Sequence, residues 1–238
     1  MLPVQNIYQQ LLTTLQSNPI TLLQAPPGAG KSTWLPLQLM RDGHFKRIVM
    51  LEPRRLAARN IANYLAQCQN EKVGQSVGLR VRGESKVSSN TRLEIVTEGM
   101  LTRMLQNDPE LSDIDLLIFD EFHERSIAAD TSLAFALETQ SALRDDLTIL
   151  LMSATLDTER YTQFFDCPVI QSSGRSYPID EVYIPIKDES RWLDAIPSLI
   201  KQALNEQSGS ALVFLPGQFE ISRVQQALND LPSNWLVA

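Results

Sequence analysis

Residues Ala25-Pro26-Pro27-Gly28-Ala29-Gly30-Lys31-Ser32 decide how the rest of this sequence is read. They follow Ile20-Thr21-Leu22-Leu23, a short apolar run that predicts a buried strand. They lead into a stretch carrying Leu35, Leu37 and Leu39 that predicts a helix. A turn of small residues between a strand and a helix lets successive backbone N–H groups face inward around phosphate oxygens, and the helix adds the positive end of its dipole. Gly30, Lys31 and Ser32 fit the phosphate-loop pattern, in which the lysine reaches the β/γ-phosphates and the hydroxyl binds Mg²⁺. The first glycine of that pattern is replaced by Ala25. An ordinary Gly-rich turn with an exposed lysine is the alternative.

Outward from the loop, apolar and amphipathic stretches alternate. Strand-like runs lie at Arg47–Leu51, Leu93–Thr97, Leu116–Phe119 and Leu147–Met152, with helical patterns at Leu56–Gln67, Glu98–Leu105 and Ile127–Ala142. Ahead of the loop, Val4, Ile7, Tyr8, Leu11, Leu12 and Leu15 predict one amphipathic helix. Apolar strands separated by helices predict an α/β fold, a parallel sheet covered on both faces. The pattern pauses at Ser172-Ser173-Gly174-Arg175-Ser176-Tyr177-Pro178, which predicts a domain boundary. Beyond it come a strand-like Glu181–Ile186, a helix at 191–205, a strand Ala211–Leu215, a helix Phe219–Leu228, and the start of another strand at Trp235-Leu236-Val237-Ala238. Two or three strands do not close a doubly wound domain, so the expected division is 1–174 and an incomplete 175–238.

Composition narrows the function classes. Hydrophobic residues make up 43% and charged residues 21% of 238, which excludes wholesale disorder. The longest apolar runs fall far short of the ~20 residues a bilayer requires. The N-terminus has no basic segment with an apolar core behind it. Cys68 and Cys167 stand apart from each other and from His44 and His123, against a disulfide framework or a zinc site. A soluble, cytoplasmic chain is expected. Net charge is −7, yet residues 1–105 carry +7 and residues 106–238 carry −14. A basic half joined to an acidic half hints at nucleic-acid contact, with solvated faces as the alternative.

A second motif stands at the end of the run Leu116–Phe119: Asp120-Glu121-Phe122-His123. In open α/β sheets ligands bind beyond the carboxyl ends of the strands, where the phosphate loop also lies. A carboxylate there suits the Mg²⁺ that bridges phosphates, which points to Asp120, and the adjacent Glu121 is placed to orient or deprotonate water. His123 taken alone reads as structural.

With these residues in view, the sequence resembles the DEAH-box helicases of superfamily 2, and within them the bacterial HrpB-type branch. The match rests on Ala25 to Thr33, Pro53-Arg54-Arg55-Leu56-Ala57-Ala58-Arg59, Thr97-Glu98-Gly99-Met100-Leu101, Asp120 to Arg125, Ser153-Ala154-Thr155 and Leu212-Val213-Phe214-Leu215-Pro216-Gly217, in family order. The resemblance implies two RecA-like domains of the P-loop NTPase fold, ATP or another NTP with Mg²⁺ between them, and a single nucleic-acid strand, RNA favoured over DNA, crossing both. It implies that Ala25 to Thr33 hold nucleotide, that Ser32 and Asp120 hold the metal, and that Glu121, Asp120 and His123 form the catalytic box. It assigns Arg54, Arg55, Thr97 and Gly99 to backbone contact, and Ser153 and Thr155 to coupling hydrolysis with strand movement. Two arginines at a helix N-terminus, where cations are disfavoured, call independently for an anion. Ser153-Ala154-Thr155 reads equally as a helix cap after a buried strand.

Some positions depart from the family pattern. Phe122 replaces the usual alanine, and Tyr64 stands where an arginine normally stacks on the base, with a core-facing residue as the alternative. No upstream glutamine motif is present, which implies loose base selectivity. The later family blocks, including the arginine finger, do not occur by Ala238, so this chain is expected to hydrolyse ATP very slowly and not to unwind duplexes. Arg80, Arg82 and Lys86 either extend the basic strip or are simply solvated. Trp34, Trp192 and Trp235 read as core packing, and both cysteines as small buried hydrophobes.

Overall fold

The computed structural model describes residues 2–155, 161, 164–173, 179–186, 189–206 and 208–228. The chain divides into two compact units, Met1–Ser176 and Tyr177–Ala238. Residues 174–178, the expected boundary, lie outside the described residues, as do Trp235–Ala238.

The first unit runs α1 (Pro3–Asn6), α2 (Tyr8–Ser17), β1 (Ile20–Gln24), α3 (Trp34–Asp42), β2 (Ile48–Leu51), α4 (Arg55–Gln67), β3 (Val77–Val81), β4 (Glu84–Lys86), β5 (Leu93–Val96), α5 (Glu98–Asn107), β6 (Leu116–Phe119), α6 (Ile127–Ala142), β7 (Thr148–Ser153) and β8 (Val169–Gln171). One sheet contains the strands in the order β4-β3-β5-β2-β6-β7-β1-β8. Every neighbouring pair is parallel except the β3–β4 hairpin. This is the covered, mostly parallel α/β sheet that the alternation predicts.

Strands β2, β5, β6 and β7 are buried at every position, as strands covered on both faces require. Alternate residues enter two cores. Met50, Ile118 and Leu150 pack with Leu35 and Leu39 of α3 and Leu65 of α4. Val49, Leu117 and Ile149 pack on the opposite face with Leu101 of α5 and Leu133 of α6. The register pairs Val96 with Leu51, Leu51 with Phe119, Phe119 with Leu151, and Gln24 with Ser153. The residues that follow these strands therefore emerge side by side along one edge of the sheet.

The expected single N-terminal helix is two, broken at Ile7 (φ −103°, ψ 0°). The break lets α1 approach the phosphate loop, where the Val4 amide donates to the Ala29 carbonyl at 3.2 Å. In the second unit, α7 (Trp192–Glu206) and α8 (Gln218–Ala227) form as expected. The strands expected at Glu181–Ile186 and Ala211–Leu215 do not. Tyr183 is 90% and Phe214 87% exposed. A strand is stabilised by a hydrogen-bonded neighbour and cross-strand pairs, and these runs have none among the described residues. Among the described residues no helix is long and apolar enough to cross a membrane.

Candidate functional site

The segment after β1 begins buried and ends at a helix. Ala25 donates its amide to the Ser153 carbonyl at 3.0 Å and packs with Val4 and Ala29. Its φ is negative, so the position accepts a side chain where the motif has glycine. Gly30 is different: φ is +93°, and a Cβ there would meet Leu2 Cδ1 at 2.8 Å. Pro26 is half-buried, while Pro27 and Gly28 face solvent at the tip. Lys31, Ser32 and Thr33 form a turn, and regular helix begins only at Trp34. Trp34 packs edge-on against Tyr8, with ring centroids 5.3 Å apart, as the core reading expects.

Lys31 is buried, and its Nζ lies 2.8 Å from Glu121 Oε1. The loop and the acid pair, ninety residues apart in sequence, are thus in contact. Asp120 is 1% exposed at the end of β6. Its Oδ1 accepts the Glu121 amide at 2.9 Å, while Oδ2 is buried without a hydrogen-bond partner. Burial pushes the Asp120 carboxyl up to about 6, against the opposing pull of the Ser32 hydroxyl and with the Glu121 charge adding to the rise. Glu121 is left-handed (φ 48°, ψ 38°), an uncommon conformation for a non-glycine residue and one that clusters at functional sites. His123 Nδ1 lies 3.4 Å from Glu121 Oε2 without an aligned hydrogen bond.

Along the same edge, β2 is followed by Glu52, 3% exposed, whose carboxylate accepts the Arg54 amide at 3.1 Å. Burial raises Glu52 to about 7, with Asp120, Glu121 and Glu124 adding to the rise. Arg54 and Arg55 both point into solvent. Arg54 forks onto Glu124, and Arg55 donates to the Arg82 carbonyl at 3.2 Å. Arg82 is exposed. Arg80 is not free: its Nε lies 2.6 Å from the fully buried Glu94, and Lys86 pairs with Glu84. Thr97 is the buried N-cap residue of α5, and Gly99 is exposed within its first turn. Ser153 ends β7, buried, its hydroxyl donating to the Thr155 carbonyl at 3.1 Å, while Thr155 is exposed. The core-facing alternative for Tyr64 does not hold, because the ring is 53% exposed on α4. Cys68 is also exposed at the end of α4, contrary to expectation, whereas Cys167 is buried.

The order of strands across the sheet thus becomes an order of motifs: Thr97-Glu98-Gly99 after β5, Glu52 to Arg55 after β2, Asp120-Glu121 after β6, Ser153-Ala154-Thr155 after β7, and Ala25 to Thr33 after β1. The DEAD/DEAH box helicase family model matches residues 5–164. The chain belongs to that family. It is 54% identical over 229 residues to the ATP-dependent RNA helicase HrpB of Escherichia coli, a match covering 95% of this chain and 28% of that protein. It is 36% identical to the ATP-dependent RNA helicase HrpA of the same organism, over 97% of this chain and 18% of that one. The crystal structure of the Escherichia coli DEAH/RHA helicase HrpB superposes with a TM-score of 0.91 at 53% identity, covering 96% of this chain and 29% of that one. The chain therefore spans under a third of the length of these relatives, and its sheet is the RecA-like sheet of a DEAD/DEAH box helicase.

Two acids of this helicase edge escape a motif reading. Glu52 follows the apolar run of β2 as Asp120 follows that of β6, so an acid directly behind a buried strand was the available signal. Glu124 stands inside the matched box, but its partner Arg54 is seventy residues away.

Proposed function

We propose that this chain is the nucleotide-hydrolysing, strand-binding N-terminal core of an ATP-dependent RNA helicase, acting in the cytoplasm. Residues 1–174 would be its ATP-binding RecA-like domain, and 175–238 the linker and first part of a second. The observation that carries the reading is the Lys31–Glu121 contact at 2.8 Å, which joins the phosphate loop to the acid pair at one sheet edge.

Lys31, held under the loop, is placed to receive β/γ-phosphate charge, and the loop residues 25–33 surround that position. The Asp120 carboxylate, with its unpartnered Oδ2 and the Ser32 hydroxyl acting on it, offers the hard-oxygen donors that Mg²⁺ prefers alongside substrate oxygens. When bound, the ion would neutralise charge on the phosphates. Glu121, once its contact with Lys31 is exchanged for phosphate, would accept a hydrogen bond from the attacking water and take its proton. His123 beside it would hold the Glu121 carboxylate in place. Ser153 and Thr155, at and just past the end of the strand between loop and acid pair, would relay the change. Arg54, Arg55, Arg82, Thr97 and Gly99 would take the backbone of a single strand, RNA rather than DNA, and Tyr64 would offer its exposed ring to the nucleotide base.

Calorimetry with Mg-ATP and anisotropy with labelled oligouridine test both halves. Glu121→Gln should retain nucleotide and oligouridine binding and lose turnover. Charge reversal at Arg54 and Arg55 should weaken oligouridine binding and flatten its salt dependence. Nucleotide uptake that ignores Mg²⁺, or oligouridine binding that ignores the reversal, refutes the corresponding half.

A further inference from the structure

Arg54 does not wait for a strand with an empty hand. Its Nη2 lies 2.8 Å from Glu124 Oε1 and its Nε 3.3 Å from Oε2, a two-point grip. That is the fork geometry with which arginine takes phosphate, so the carboxylate fills the position a backbone phosphate would use. We propose that Glu124 is a positioning residue that holds the phosphate seat on Arg54 and ties that seat to the turn carrying Glu121. The inference rests on the reading of Arg54 as a backbone-phosphate contact.

Three features of the fold support it. The pair is exposed, at 72% for the Arg54 side chain and 32% for Glu124, so water screens it and a polyanion can replace it at little cost. Glu124 closes the short 3-10 turn Phe122–Glu124, and its amide donates to the Glu121 carbonyl at 2.8 Å. That turn is bracketed by two residues of positive φ, Glu121 and Arg125 (48° and 45°), strained conformations that persist only where the surrounding structure holds them. Immediately beyond it, the Ser126 hydroxyl donates to Glu98 Oε1 at 2.6 Å while accepting the Ala129 amide from the first turn of α6. Glu98 lies between Thr97 and Gly99, so both proposed strand-contact blocks hold the segment that carries the acid pair. A phosphate arriving at Arg54 releases one of these two restraints and leaves the other. The Glu124 charge also bears on Glu52, the buried acid that follows β2 on the same edge.

The test is a double-mutant cycle on the 238-residue chain, with Glu124→Gln, Glu124→Ala, Arg54→Ala and the combined variants, all checked for an unchanged melting transition. Anisotropy of fluorescein-labelled oligouridine should show about two- to fivefold tighter binding when Glu124 is neutralised, the range set by an exposed ion pair. The same neutralisation should have almost no effect with Arg54→Ala, because the seat is gone. Saturating oligouridine should change the affinity for a fluorescent ADP analogue in the parent and change it less in Glu124→Gln, as linkage requires. If Arg54→Ala weakens oligouridine binding but neither Glu124 variant tightens it, the inference fails and the reading of Arg54 stands. Equal tightening in both backgrounds would be a general charge effect and would overturn the seat. An equal ADP response in parent and Glu124→Gln would overturn the link to the turn. An Arg54→Ala variant that binds oligouridine normally would remove the Arg54 reading, and the inference with it.

Discussion

Replacing Asp120 by Asn isolates the electrostatic cost of keeping an acid at the end of β6. The carboxyl is buried, one oxygen has no hydrogen-bond partner, and its pKa rises from 3.8 to about 6. A folded-state value above the unfolded one means the folded chain holds the proton more tightly. The stability linked to that proton is complete below pH 3.8 and is lost as pH rises through about 6. At about 1.4 kcal/mol per tenfold change in acidity, the loss above that range is roughly 3 kcal/mol. Asn carries no charge, but its amide occupies the position of the unpartnered oxygen, which returns about 1–2 kcal/mol of the gain. The net expectation without divalent metal is about 1–2 kcal/mol of stabilisation at neutral pH, a rise in Tm of roughly 2–8 °C for a chain of this size. Circular-dichroism melts across the acidic and neutral range, with EDTA present, read it directly. The advantage of Asp120→Asn should shrink toward pH 4, where Asp120 itself is protonated. A variant that melts at or below the parent at neutral pH, or whose advantage does not shrink in acid, refutes the reasoning.

Glu52→Gln should behave in the same way, with its advantage appearing as pH rises through about 7; urea titrations in mildly acidic and mildly alkaline buffers check it. Lys31→Ala leaves Glu121 without its cation and removes the charge meant for phosphate, so Mg-ATP affinity measured by calorimetry should fall at least about tenfold, the equivalent of one charge-assisted hydrogen bond. Gly30→Ala combines a positive φ with a 2.8 Å approach to Leu2, so the melt should show a loss of about 1–3 kcal/mol, and nucleotide affinity should drop with it. Ile118→Ala empties a fully buried position facing α3 and α4, for an expected loss of about 2–5 kcal/mol in denaturant titration and no change in m-value.

The sheet was legible where strands are buried on both faces, because four apolar residues in a row leave no other place to go. Leu116–Phe119 and Ile127–Ala142 begin and end where the pattern predicts. The hairpin strands β3 and β4 are less visible. Gly78 and Arg80 interrupt the apolar pattern of β3, and Arg80 is tolerated there only because Glu94, on the neighbouring β5, neutralises it. Such a partner is set by strand order, which sequence spacing does not reveal. Glu181–Ile186 shows the converse: apolar periodicity reports the capacity to be a strand, not the presence of a neighbour. Cys68 misled for a related reason, since it lies past the last buried turn of α4, where the helical stripe no longer faces the core. At the site, the loop and acid pair were legible as motifs, whereas the fork between Arg54 and Glu124 depends on β2 and β6 lying side by side.

That adjacency also fixes a length. From β5 to β1 the sheet crosses four inter-strand gaps, about 19 Å at roughly 4.8 Å each. Mobile ions damp a field over about 8 Å at physiological salt, so a charge placed at one end of this row is nearly silent at the other through solvent. Coupling between the two ends has to pass through the protein itself, from one strand terminus to the next, and the three interior termini, after β2, β6 and β7, are where that transmission is cut most cleanly.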